Sequence, residues 1–389
     1  MNEVKNMKFV IAPDSYKNCL SAFEVAKAIH AGINQIFPKA EYEVVPMADG
    51  GEGTTTALVE AREGKYEKVL VHNPFNQLVE VQYGFIDKQI AVIEVAAASG
   101  IQYRDAQHNS PLLASSYGTG EIILDALKKG AKKIVLGLGG SATVDGASGI
   151  LQAIGAKFLD KNDSELQLGP ANLKELAKID FSEVDPKILK VPILLASDVT
   201  NPLLGEEGAA KVFAPQKGAD AVMVEQLEDN LSQFAKIACN YTGKDYINTP
   251  GAGAAGGIGF GLLTFLNAKI EPGVKLIAKL SQLAEKCQHA DYIFTGEGRT
   301  DFQTKFGKTP YGVAQVAKKV SPNAKVIIVS GSISEDADEL CQNGIIDALF
   351  TAPVGAKSLD QAIKGAKSDI TYTSKEIARL LKVNTSLKN

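Results

Sequence analysis

Cysteine and histidine are scarce in this chain, with four of each among 389 residues. Cys19, Cys239, Cys287 and Cys341 are scattered, and no C-x-x-C pair occurs. That excludes a disulfide framework and a cysteine zinc site, and it suits a reducing compartment, so a cytoplasmic location is expected. His30, His72, His108 and His289 offer no H-x-x-x-H ligand spacing, and there is no G-x-S-x-G elbow to suggest Ser-His-Asp catalysis. Basic charge is not in excess: 41 Lys and Arg face 45 Asp and Glu, a net charge of −4. With no basic run, neither a nucleic acid nor another polyanion is an expected partner. The opening MNEVKNMKFVIAPD has no apolar stretch before a cleavage site, so no secretory signal is read there. The uncharged run Tyr246–Ala268 holds Pro250 and six glycines between Gly251 and Gly261. It reads as a buried glycine-rich loop entering a helix, so no membrane partner is expected.

What is present is the composition of an ordinary globular protein, 45% hydrophobic and 22% charged, at a length that fits two domains. Lys8–Ala12 is a short apolar run, and Ser21 with Glu24 forms a capping box. The box opens a helix carrying Ala22, Val25, Ala26, Ile29, Ile33 and Ile36 on its apolar face. Glu43–Ala48 is a second strand and Thr54–Ala61 a second helix. The runs EKVLVH, QLVEVQYGFI and QIAVIEV are crowded strands, with Asp87-Lys88 as a hairpin joint. Beyond Gly120 strands and helices alternate: EIILDALKK, KIVLGL, Lys190–Ser197 and Ala221–Ile237. DYIFTG, AKVIIVSG, a helix near Glu335–Gln342 and DALFTA follow.

The fold class is therefore α/β with two domains, one Rossmann-like with a mainly parallel sheet and the other mixed α/β. The economical division is discontinuous: residues 1–88 with 288–389 form the Rossmann-like domain, and 89–287 are inserted. A simple split into N- and C-terminal halves is the alternative.

Ligands of open α/β sheets collect at the carboxyl ends of strands. Here those ends are repeatedly acidic: FVIAPD ends in Asp14, EVVPMAD in Asp49 and VPILLASD in Asp198, while YIFTGEGRTD supplies Glu297 and Asp301. One such Asp reads as a helix N-cap. Several at equivalent positions point instead to a charged site balanced by cations, and Mg²⁺ held by one or two carboxylates and phosphate oxygens fits. Lys17, Lys217, Arg299 and Lys308 lie in the same loops, and the planar fork of Arg299 suits a carboxylate or phosphate.

Glycine-rich loops are the second theme: DGGEGT, YGTGE, GLGGSAT and GAGAAGG. Such loops let backbone N–H groups approach an anion at a helix start. Two literal motifs fail. Gly307–Thr309 ends like a P-loop, but Phe302 stands where its first glycine belongs, and GAGAAG at Gly251–Gly256 follows KDYINTP rather than a strand.

In order along the chain, APDSYKNCLSA, PMADGGEGT, EVAAASG, YGTGE, GLGGSATVDGA, SDVTNPLLGEEGAAKVFAPQKGA, GAGAAGG, TGEGRTDFQTKFGKTPYGVA and SGS resemble the bacterial glycerate kinase family. The resemblance implies two α/β domains with a cleft between them. It also implies ATP and Mg²⁺, with D-glycerate as acceptor at its 2-hydroxyl or, in some members, its 3-hydroxyl. Carried over by motif, Asp198, Arg299 and Lys17 are expected to be catalytic. Asp14, Ser15, Asp49, Glu297 and Asp301 are expected to bind substrate. Gly139, Gly140, Ser141, Lys217, Gly253 and Gly256 are expected to bind nucleotide, and Asp198 and Asp49 to hold the metal.

Asn18-Cys19 departs from the family's Gly-Ser, Val144 and Ala147 from its Asn and Gly, and Ala214 from its glycine before PQKGA. Val144 matters most, as an apolar residue in an expected ligand loop. Two other readings are a nicotinamide-dependent oxidoreductase of a small hydroxy acid and a non-catalytic organic-acid sensor. Whether the chain forms a homo-oligomer is left open.

Overall fold

The computed structural model describes residues 7–386, so the N-terminal stretch read for a secretory signal lies partly outside the described residues. Eleven strands form its two larger sheets. In chain order they are β1 (Lys8–Ile11), β2 (Glu41–Val44), β3 (Lys65–His72), β4 (Leu78–Ile86), β5 (Ile90–Glu94) and β6 (Lys133–Gly137). Then come β7 (Ile193–Ala196), β8 (Lys269–Glu271), β9 (Tyr292–Thr295), β10 (Lys325–Ser330) and β11 (Ala348–Thr351).

The chain divides into two compact units. The first takes the residues up to Asp49, Thr56–Glu63 and everything from Val274 onward; the second takes Gly50–Thr55 and Gly64–Gly273. The boundaries differ from the expected 88 and 287. Residues 64–88 fold with the second unit because β3 and β4 pair antiparallel and β4 continues onto β5. Residues 274–287 fold with the first, where Val274 packs so closely on Gly312 that a Cβ there would lie 2.4 Å from Val274 Cγ1.

The sheet of the first unit runs β11-β10-β9-β1-β2, parallel throughout. In chain order this is the doubly wound 2-1-3-4-5 arrangement, whose switch point falls between its first and third strands, here β1 and β9. Ser21 and Glu24 close the expected capping box on helix Ala22–Asn34, which ends before Ile36. Val25, Ala26, Ile29 and Ile33 of this helix are fully buried. At Gly32 it meets helix Leu359–Ser386 with no room for a side chain, since a Cβ would lie 2.3 Å from Thr371 O. The second strand begins two residues earlier than the pattern suggested. The stretch Val45–Met47 nevertheless still bonds to the end of β1, Val45 N donating to Ile11 O at 2.8 Å. The helix expected near Glu335–Gln342 is a 3₁₀ run over Glu335–Leu340.

The second unit carries β8-β7-β6-β5-β4-β3, with β5 to β8 parallel and β3 and β4 antiparallel. Asp87 and Lys88 both adopt positive φ, 52° and 61°, the signature of a two-residue hairpin turn matching strand twist. The uncharged run becomes helix Ala254–Leu266, buried in this unit's core. Among the described residues no helix is long and apolar enough to cross a membrane.

Candidate active site

In the first unit the chain leaves β1 and β9 side by side, and hydrogen bonding continues past both strand ends. Ala12 N donates to Phe294 O at 2.7 Å and Asp14 N to Gly296 O at 2.8 Å. Gly296 is required, because a Cβ there would lie 1.7 Å from Val329 O. Asp14 is thereby set at the switch point, where ligands of such sheets bind.

Its carboxylate accepts from Ser15 N at 2.6 Å and from the Thr309 hydroxyl at 2.5 Å. Burial and then the neighbouring charge of Asp49 push its pKa up to about 6, against the pull of Thr309, Ser15 and Lys17. Glu297 lies close enough to feel Asp14. Burial raises its pKa, while it accepts from the Thr304 hydroxyl at 2.7 Å and faces Lys308 Nζ at 3.8 Å. Asp301 pairs with Lys308 at 3.0 Å and closes a capping box with Thr304. The turn carrying Glu297, Arg299 and Asp301 is tied to the SGS segment: Gly331 N donates to Glu297 O and Ser332 N to Gly298 O, each at 3.1 Å. Lys17 and Arg299 are exposed on these loops. Six of the expected residues, Asp14, Ser15, Lys17, Asp49, Glu297 and Asp301, thus gather with Lys308 and Thr309, and Arg299 shares their turn. Thr309 was missed as a partner because it lies 295 residues from Asp14.

In the second unit the glycine-rich loops stack over the carboxyl ends of β5, β6 and β7. Gly50 has φ +91°, and a Cβ on it would meet Ala196 Cβ at 2.9 Å; one on Gly137 would meet Gly50 O at 2.8 Å. Glu94, which ends β5, accepts from Gly53 N at 3.2 Å and Thr55 N at 2.8 Å, and burial raises its pKa. Asp198, exposed after β7, accepts from Gly273 N at 3.0 Å. Gly139 and Gly140 follow β6, and Ser141 is held from behind by Lys217. The buried Lys217 Nζ donates to Ser141 Oγ at 2.9 Å and Thr143 O at 2.8 Å. Burial pulls the Lys217 pKa down to about 7, with Asp145 opposing. Asp145 is fully buried and accepts from Ser116 N and Oγ, both at 2.8 Å, from Ala147 N at 3.2 Å and from Gly149 N at 3.3 Å.

Three placements bear on the sequence readings. Val144 is fully buried in this unit's apolar core, so its departure from the family pattern concerns packing and not a ligand contact. Gly253 and Gly256 are glycines because backbone crowds them: a Cβ would lie 2.3 Å from Pro202 O at the first and 2.0 Å from Thr143 O at the second. Ala255, Gly256 and Gly257 are all left-handed, which seats GAGAAGG against the Ser141–Gly146 loop, Gly146 N donating to Gly256 O at 3.0 Å. Asp49 and Asp198, expected to share a metal, belong to different units.

Comparison with known proteins supplies the class. Residues 9–382 match the sequence profile of the glycerate kinase family. A glycerate kinase of Halalkalibacterium halodurans is 44% identical over 97% of this chain and 99% of its own length. A glycerate 2-kinase of Escherichia coli is 44% identical over 97% and 98%. A crystal structure of a glycerate kinase 2 candidate from Salmonella typhimurium LT2 superposes with TM-score 0.89 at 40% identity, covering 98% of this chain and all of that one, 100%. The chain is an α/β phosphotransferase with an alcohol group as acceptor, which sets aside the oxidoreductase and sensor readings. It belongs to the glycerate kinase family.

Proposed function

We propose that the protein transfers the terminal phosphoryl group of ATP to D-glycerate in the cytoplasm, yielding 2-phosphoglycerate. The observation that carries the reading is the carboxylate pair Asp14 and Asp49 at the switch point, with cationic Lys17 on the same loop. Phosphoryl transfer needs positioning and charge neutralisation more than covalent chemistry, and this loop cluster supplies both kinds of group.

Asp14 is suited to take the acceptor hydroxyl's proton. With a pKa of about 6 it is mostly ionised at neutral pH, yet basic enough to share a proton. Thr309 and Ser15 N hold the carboxylate in orientation. Lys17 and Arg299 are assigned to the glycerate carboxylate and the transferring phosphoryl group, and Glu297 and Asp301 fix the turn that presents Arg299.

Asp49 raises the pKa of its neighbour Asp14, and Mg²⁺ completed by phosphate oxygens would relieve that repulsion. Among the described residues no group of three or more His, Cys, Asp or Glu is arranged for a metal. Asp49 is the proposed ligand, with Asp14 beside it, and bound Mg²⁺ would supply neutralisation of phosphoryl oxygens. In the second unit Gly139, Gly140 and Ser141 form the proposed phosphate cradle. Lys217, Gly253 and Gly256 brace it from behind. Asp198 is proposed as a second carboxylate for base or metal duty.

Steady-state ADP release tests the assignment. It should appear only with D-glycerate present, and Asp198→Asn should lower kcat about tenfold or more if Asp198 serves as a base. Wild-type turnover in folded Asp198→Asn removes that residue from the mechanism, and ADP release independent of D-glycerate contradicts the acceptor.

A further inference from the structure

The second unit carries a cavity of about 450 Å³ that none of the proposed site residues lines. It opens where β3 ends at His72, between the turn 73–76, the segment 107–113 and the start of helix Tyr117–Lys128. Its volume is that of a site for a nucleoside-sized molecule. The turn is preformed: Asn73 is buried, and its Oδ1 accepts from Phe75 N at 2.9 Å and Gln77 N at 3.0 Å.

Four flat rings, those of His72, Phe75, His108 and Tyr117, line the walls. Phe75 and His108 lie 5.6 Å apart, and His72 and Tyr117 meet edge to face at 5.8 Å. Leu113, large and apolar, is 63% exposed at the rim. Side-chain amides of Asn76, Gln107 and Gln167 supply donors and acceptors at the edges. His72 Nδ1 is committed to Glu121 at 2.9 Å, which fixes the ring. No Lys or Arg lines this space. A small carboxylate such as glycerate, or a bare phosphate, would find no cation here, whereas a planar heterocycle would find stacking faces and amide edges.

The cavity is also joined to the proposed phosphate cradle through one stretch of chain. Ser99 O accepts from Ala142 N and Gly140 O accepts from Ile101 N, both at 2.9 Å. The Ser99 hydroxyl meets that of Thr119, on the helix that Tyr117 begins, at 2.7 Å. Arg104, on the same stretch, has its Nη1 donating to Gln216 O at 3.1 Å, and a Cβ on Gly218 would meet both Arg104 Nη2, at 2.1 Å, and Asn109 O of the cavity wall, at 2.9 Å. We infer that this cavity takes the purine and ribose of the donor nucleotide, with its phosphates running past Arg104 toward Gly140 and Ser141. The inference rests on the phosphotransferase reading for the identity of the nucleotide.

The test is ADP affinity by isothermal titration calorimetry for wild type, Phe75→Ala and Leu113→Glu, alongside the KM values for ATP and D-glycerate. Leu113 is solvent-exposed, so its replacement does not put folding at stake. Each variant should bind ADP about tenfold or more weakly, about 1.4 kcal/mol, with KM for ATP rising in parallel and KM for D-glycerate within about twofold of wild type. ADP affinity unchanged in both folded variants, or no ADP binding by wild type, overturns the inference. A wild type that binds ADP without phosphorylating D-glycerate refutes the proposed acceptor instead, and the ADP titrations of the two variants still decide the cavity.

Discussion

The two units place charge at strand ends in opposite ways. In the first, Asp14 and Asp49 repel each other at a switch point, Asp14 accepts from the Thr309 hydroxyl and Ser15 N, and exposed Lys17 lies nearby. In the second, Asp145 is sealed with four hydrogen bonds, and Lys217 is buried on Ser141 and Thr143. Two neighbouring like charges repel, and a cation or ligand placed between them can relieve that repulsion. A fully satisfied buried charge fixes a loop. The contrast supports the proposed chemical role of the first set and a loop-fixing role for the second.

The largest expected effect breaks the second set. Asp145→Ala strips four donors of their acceptor and leaves Lys217 without its opposing charge. Unfolding in urea should show a loss of about 3–5 kcal/mol. A loss below about 1 kcal/mol would mean that the loop is held by packing alone.

Asp14→Asn should break the first set without unfolding it. Its kcat/KM should fall about 10²-fold or more, the usual range for removing a general base. In wild type, kcat/KM should decline as pH falls through about 6, since the base must be ionised, and that limb should vanish in the variant. The stability sign is opposite. A carboxyl whose folded pKa is raised binds its proton more tightly when folded, so it costs stability as pH rises from about 4 through 6. Unfolding curves at pH 5 and 7.5 should show Asp14→Asn gaining on wild type at the higher pH.

Lys217→Met sharpens the comparison more gently. The folded pKa of Lys217 is lowered to about 7, so wild type gains stability as pH rises above 7 toward the ordinary lysine range, and the variant does not. The destabilisation caused by Lys217→Met should therefore grow between pH 7 and 9 by on the order of 1 kcal/mol, read from paired denaturant titrations.

The smallest effect is expected at Asn18. Its φ of 59° is left-handed, which asparagine and glycine both tolerate, and this accounts for Asn where the family has Gly. Asn18→Gly should change stability by no more than about 0.5 kcal/mol in thermal unfolding.

Much of the fold was legible because its signals are local. The Ser21–Glu24 box and the Asp87-Lys88 turn each need only neighbouring residues, and the structure has both. The acidic strand ends were legible too, since β1 and β9 close in recognisable apolar runs. What escaped depends on distant chain. No periodicity joins Asp14 to Thr309, or Lys217 to Ser141 across 76 residues. Val144 and Gly256 are ambiguous in sequence for a related reason. A glycine-rich loop looks the same in sequence whether its space admits a ligand or another stretch of backbone, and here Thr143 O occupies the position a Gly256 Cβ would need.

The most direct measurement is phosphorus NMR of a reaction containing the protein, ATP, Mg²⁺ and D-glycerate. The account predicts that the ATP signals give way to those of ADP and 2-phosphoglycerate. ATP left intact, or split to ADP and inorganic phosphate with no phosphoglycerate, would contradict it.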